Sequence, residues 1–145
     1  MTNIATSIYS TTRTELRGIV GKLVMGKDGY FTGTTTSQHA SPTTNFTDTS
    51  RLEPNDYFNG FYANITSGTS NGQGRISDFA TGSPPTFTLP TTIGFTIATS
   101  SSYELTRYFT ITDINEAIKL AIASVNHLFY KPLVYESAVP ASACT

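Results

Sequence analysis

The chain has 145 residues, of which 13% are charged, a formal net charge of −1 and a single cysteine. That length suits one domain with a real core and is short for two. The charge balance lacks the basic footprint of a free nucleic-acid binder, and Cys144 alone allows neither an internal disulfide nor a thiolate zinc site.

The opening MTNIATSIYSTTRTELR has neither the basic start nor the apolar run of a signal peptide. No later run approaches membrane-spanning length, so the expected setting is a cytoplasm, away from membrane. The N-x-T triplets at Asn45 and Asn64 then read as incidental rather than as glycosylation sites.

Residues 11–26, TTRTELRGIVGKLVMG, place Leu16, Ile19, Val20 and Leu23 at helical spacing. Thr12 or Thr14 can cap the start and Gly26 the end. Gly18 and Gly21 each weaken a helix by about 1 kcal/mol relative to Ala, so they either permit close packing or leave the helix marginal.

From Tyr30 to Leu105 the signals become short strands separated by turn residues, expected at 30–36, 44–49, 57–66, 73–79, 86–89, 94–98 and 102–106. Within 57–66, Phe61, Ala63 and Ile65 alternate with Tyr62, Asn64 and Thr66, which predicts that the first set faces a core. Residues 33–43 are polar and aperiodic, and read as an exposed loop. Residues 112–130, TDINEAIKLAIASVNHLFY, put Ile114, Ala117, Ile118, Ala121, Ile122, Val125, Leu128 and Phe129 on one broad helical face. Thr112 or Asp113 is the expected cap, Asp113 and Glu116 have capping-box spacing, and Pro132 limits continuation. The expected core stripe of this helix is Ile114, Ile118, Ile122, Val125 and Phe129.

The glycine-spaced stretch DYFNGFYANITSGTSNGQGRISDF, residues 56–79, admits two readings. Gly68, Gly72 and Gly74 beside Arg75 could aim backbone amides at an anion. The stretch lacks the lysine and Ser/Thr ending of a P-loop and runs from strand to strand, so a structural hairpin turn is favoured. Asp56 and Asp78 flank strands as turn formers or ion-pair partners, and His127 lies near an apolar helix face. Without a G-x-S-x-G elbow or an H-E-x-x-H pair, no catalytic, cofactor or metal constellation emerges. The eight tyrosines and nine phenylalanines read as core and interface packing.

The order of elements adds a resemblance. "TELRGIVGKLVMG" leads into "TGTTTS", "NDYFNGFYANITSGTSNGQGRISDF", "PTFTLPTTIGFTIATSSSYEL" and "FTITDINEAIKLAI". Over residues 12–130 this resembles the head-to-tail connector (neck or adaptor) proteins of tailed bacteriophages and other virion proteins with the same β module. Their "D-D-Y-F-x-G" strand and "I-T-S-G-x-x-x-G-Q-x-R-x-I-x-D-F" hairpin precede "Y-E-L" and an "I-x-D-A-I-N-E-A-I" helix. The usual G-D-T before Y-E-L is replaced here by Ser100, Ser101 and Ser102.

Residue pattern and resemblance lead to one set of expectations. The fold should be α+β: a small antiparallel β-barrel or sandwich flanked by an N-terminal and a C-terminal helix that pack together. One domain would span 1–145, with helices at 12–25 and 113–130, the β module at 30–106 and an extended tail from 131. The resemblance implies no enzyme activity and no cofactor, and a place in the virion neck, after synthesis in a bacterial cytoplasm. It implies self-assembly into a ring of about twelve copies. Portal protein and tail or neck proteins would be its neighbours, and genomic DNA would pass through without sequence-specific binding. The glycine hairpin would be scaffold, with Arg75 fixing a strand or a neighbour; loop 33–43 and tail 136–145 would lie at contacts. The alternatives are a capsid decoration or tail-associated protein, or a carbohydrate-binding module using Tyr57, Tyr62 and Tyr103.

Overall fold

The computed structural model describes residues 12–129. Helix α1 spans Arg13–Met25, and the strands are β1 Tyr30–Thr34, β2 Asn45–Thr47, β3 Tyr62–Ser67, β4 Ser70–Arg75, β5 Asp78–Ala80, β6 Thr86–Thr88 and β7 Ser102–Thr106; helix α2 covers Ile111–Phe129. The strands form two antiparallel sheets, ordered β1-β7-β3-β4 and β2-β6-β5, and neither closes into a barrel among the described residues. The α+β class is therefore as expected.

Strand alternation explains how the layers meet. In the first sheet β7 is central to pairing, with Tyr103 opposite both Gly33 and Ile65, and Leu105 opposite both Phe31 and Ala63. These residues share one face because side chains alternate along each strand. The second sheet answers with Phe46, Phe79 and Phe87, and the two sets join in one buried cluster with Phe58, Phe61, Ile76, Leu89 and Ile97. Phe46 and Phe87 stack at 4.5 Å, and Phe46 meets the Tyr103 ring at 5.1 Å. The expectation for Phe61, Ala63 and Ile65 holds, since all three are buried here.

Three expected strands differ in detail. Residues 57–61 form turns, because Phe58 and Phe61 fill the core from a tight segment where Gly60 N–H donates to Ile76 O at 2.8 Å. The expected strand 73–79 is divided: the chain leaves the first sheet after Arg75 and enters the second at Asp78. Residues 94–98 form no strand, although Ile97 is buried and its N–H donates to Pro42 O at 2.7 Å.

The helices lie on the opposite side of the first sheet, where Tyr30 and Glu104 point. Thr12 caps α1 in a capping box with Glu15, and Gly26, at φ 74°, ends it. The expected α1 stripe of Ile19 and Leu23 is not the buried one. Arg17, Gly21 and Met25 face inward instead, while Leu23 is 80% exposed. The cause is a close approach: a Cβ on Gly21 would sit 2.7 Å from the Tyr30 ring, so the glycine face is the one that seats against the sheet. Helix α2 begins two residues earlier than expected. Thr110 Oγ1 accepts from Asp113 N–H at 3.1 Å, and Asp113 returns the contact to Thr110 N–H at 2.9 Å. That pairing is a capping arrangement, and it replaces the expected Asp113–Glu116 one.

Candidate functional site

The hairpin glycines have separate structural jobs. Ser67 pairs with Ser70, so Gly68 and Thr69 form a two-residue loop, and Gly68 holds φ 59° at its first position. That left-handed backbone is the one such tight loops favour at glycine. Gly72 and Gly74 are ladder residues opposite Ile65 and Ala63. A Cβ on Gly72 would meet Phe95 at 2.8 Å, and one on Gly74 would meet Leu89 at 3.2 Å, so both clear space for side chains crossing the strand. Arg75 donates from Nε to Gly60 O at 3.0 Å and lies 5.6 Å from the Tyr62 ring centroid. It fastens the 56–60 turn to the sheet.

Two polar clusters anchor the chain. In the first, Arg17 donates to both carboxylate oxygens of Glu104, through Nε at 3.0 Å and through Nη2, and Tyr30 hydroxyl donates to Glu104 Oε2 at 2.7 Å. Burial, then the Glu104 carboxylate, push the Tyr30 hydroxyl well above its usual range. The hydrogen bond to Glu104 holds Arg17 more firmly protonated than usual. The cluster ties α1 to β7. In the second, Tyr103 hydroxyl donates to Asp48 Oδ2 while Arg51 Nε donates to Tyr103 at 2.7 Å. Burial pushes the Asp48 carboxyl upward, but donors from Ser50 and Tyr103 outweigh it and hold the carboxyl below its usual range. Arg51 lies 5.4–5.9 Å from the ring centroids of Phe31, Phe58 and Tyr103. Neither cluster was anticipated from sequence; their partners lie far apart along the chain.

The remaining candidates are dispersed. Asp56 adopts φ 66° and accepts from Asn59 at 2.7 Å, while Asp78 sits exposed opposite Thr88. His39 Nδ1 accepts from Ser41 N–H at 3.0 Å. The side chains of Val125, His127 and Phe129, and all of residues 130–145 with Cys144, lie outside the described residues. Tyr103 is buried in the core and Tyr57 packs on Phe58 at 4.9 Å, so these tyrosines do not form the exposed sugar platform considered from sequence. Among the described residues no group of three His, Cys, Asp or Glu side chains is placed to hold a metal ion. Among the same residues no helix is long and apolar enough to cross a membrane.

What stands out is the helix pair. Met25, Tyr30, Ile111 and Ile114 form its small buried cluster, with Val20 and Ile118 partly covered. Ile122, expected in the core stripe, is instead 53% exposed, because α2 runs on past the end of its packing against α1 and the sheet. Ile19, Leu23, Val24, Leu120 and Phe109 are exposed as well. Between the helices an apolar cleft of about 290 Å³ is lined by Val20, Val24, Met25, Phe109, Ile114 and Ala117. Loop 33–43 is mixed rather than uniformly exposed. It begins inside β1, Thr35 is buried with its Oγ1 donating to Ala98 O at 2.7 Å, and Ser37 bridges to Thr47.

Comparison of the chain with protein-family models, with curated proteins and with solved structures returns no match.

Proposed function

We propose that this chain is a virion structural protein, a head-to-tail connector whose copies form a ring between portal and tail around the DNA channel. It works by assembly rather than by catalysis. The observation that carries the reading is the set of large apolar side chains left exposed on the helix pair, Ile19, Leu23 and Val24 on α1 and Leu120 and Ile122 on α2. Large apolar side chains left exposed on a helix pair support a reading as contact surface, and a ring requires one surface to meet a different one on the next copy. The two sheets, read as a sandwich around the aromatic core, supply a rigid body that would keep the helices oriented during ring closure.

Supporting this further, the polar clusters of the β module are internally satisfied. Glu104 and Asp48 each spend their carboxylates on neighbouring side chains of the same chain. Both are thus committed to holding the fold. Electron cryomicroscopy of the intact particle tests the proposal. The expected result is density for this chain between portal and tail, with helices α1 and α2 at the contact between copies. Density on the capsid surface in hundreds of copies would favour decoration, and an isolated monomer in the particle would end the ring reading.

A further inference from the structure

The outer strands are β1 and β4 in the first sheet and β2 and β5 in the second. An outer strand carries a row of backbone N–H and C=O groups without a neighbour, and folded chains ordinarily cover or disrupt that row. Three of the four are met by their own chain. Arg51 Nη2 donates to Thr32 O on β1, Thr36 N–H donates to Thr47 O on β2 at 2.9 Å, and Asp56 N–H donates to Phe79 O on β5 at 2.9 Å. No such bond reaches the outward edge of β4 among the described residues.

Pairing with β3 determines which groups of β4 are open. Gly68 and Thr69 form a two-residue loop, so Ser67 and Ser70 are a bonded pair, and alternation gives the backbone groups of Gly72 and Gly74 to β3 as well. The N–H and C=O groups of Asn71, Gln73 and Arg75 therefore point away from the sheet, and all three residues are exposed. The strand also lacks the usual guards. Its pairing with β3 runs from Ser70 to Arg75 without a bulge, and SNGQGR contains neither Pro nor Lys. Its one charged side chain, Arg75, is turned back onto Gly60 O at 3.0 Å.

We propose that β4 is a self-pairing edge: two copies of the chain join β4 to β4, antiparallel about Gln73, so that their two four-stranded sheets become one continuous sheet. The occupied edges select this partner. With β1, β2 and β5 each met by their own chain, an edge-to-edge contact between copies has β4 on both sides, which is a two-fold arrangement. The strand is self-complementary in that arrangement. Centring on Gln73 sets Asn71 opposite Arg75 of the second copy, Gln73 opposite Gln73, and Arg75 opposite Asn71, so all the outward backbone groups find partners. No like charges face each other, which would oppose pairing. Asn71 Nδ2 already donates to Thr66 Oγ1 at 2.9 Å, so its carboxamide oxygen is the atom that meets the guanidinium. On the other face Gly72 lies opposite Gly74 of the second copy and neither brings a side chain to obstruct the approach, while Ile93 and Phe95, partly buried beside Gly72, gain cover. The contact is separate from the helix surface assigned to ring closure.

The test is hydrogen exchange of the full chain, read at single amides by nuclear magnetic resonance from about 10 μM to about 1 mM, beside sedimentation equilibrium. Exchange at the Asn71, Gln73 and Arg75 amides should slow as concentration rises and dimers form, while the Gly72 and Gly74 amides stay protected throughout. Asn71→Lys sets like charges opposite each other twice per dimer and should weaken dimerisation about tenfold, whereas Asn71→Glu should tighten it. Gln73→Pro removes an outward N–H without touching the β3 ladder and should abolish the concentration dependence. Leu23→Asp combined with Ile122→Asp should leave β4 protection unchanged, which separates this contact from ring closure. The proposal is overturned if the three amides exchange freely at every concentration, or are protected equally at every concentration, the sign of an edge covered within one chain. It is equally overturned if the two Asn71 variants dimerise alike, or if the dimer persists in a well-folded Gln73→Pro chain.

Discussion

The core between the sheets and the seam between the helices draw on similar apolar residues but finish differently. Between the sheets, Phe46, Phe58, Phe79 and Phe87 are buried, and their rings meet at 4.5–5.4 Å. At the helices the buried set is Met25, Tyr30, Ile111 and Ile114, and other large apolar side chains remain outside. The first region has used its apolar surface on itself. The second holds some in reserve and depends on the Arg17–Glu104 pair to stay seated. One part of this small chain thus buries its apolar side chains on itself, and the other leaves several uncovered.

The largest expected effect falls on the first region. Phe87→Ala should cost about 3–5 kcal/mol, the range for deleting a buried aromatic ring, and a urea melt would register it as loss of much of the transition. A melt close to that of the parent would mean that the sheets do not carry the fold. Next comes the seam. Glu104→Gln leaves Arg17 buried without its counter-charge, at a cost of about 3 kcal/mol. Hydrogen exchange should show α1 amides losing protection first, with the sheet amides following only at global unfolding. Simultaneous loss everywhere would merge the two regions into one cooperative unit.

A smaller effect concerns acid. Asp48 has a folded pKa below its unfolded one, so its stabilisation is complete above the unfolded carboxylate range and drains away as pH falls through the lower folded value. Between pH ~7 and pH ~2.5 the parent should therefore lose more stability than Asp48→Asn, whose amide does not titrate. Equal acid losses in the two proteins would remove Asp48 from the account. The smallest effect on stability is expected from Leu23→Asp combined with Ile122→Asp. Both side chains are more than half exposed, so the melting free energy of the separated chain should move by no more than about 0.5 kcal/mol per site. Native mass spectrometry should show the assembly weakened. A collapsed melt would place these side chains in the core after all.

Several of these assignments were legible from the residues alone. The alternation of Phe61, Ala63 and Ile65, the cap at Thr12 and the stop at Gly26 are local signals, and local geometry obeyed them. The inward face of α1 was not legible, because it is set by Glu104, 87 positions away from Arg17, and by the fit of Tyr30 against Gly21. The extent of α2 was read well, but its apolar stripe says nothing about how far a partner surface continues. Residues 57–61 and 94–98 misled for a related reason: an apolar side chain in a turn can fill a core as well as one in a strand.

The pairing of β1 with β7 sets a schedule for synthesis. Residues 30–34 meet residues 102–106, and β3 reaches β1 only through β7. The β3–β4 hairpin can close on its own short loop, but the first sheet stays incomplete until the late strand leaves the ribosome. During that interval Phe31 lacks the neighbour Leu105 and α1 lacks its Glu104 anchor. Until those five residues arrive, a nascent chain of this protein carries exposed aromatic surface, and its exposure to aggregation or to chaperones is governed by that arrival.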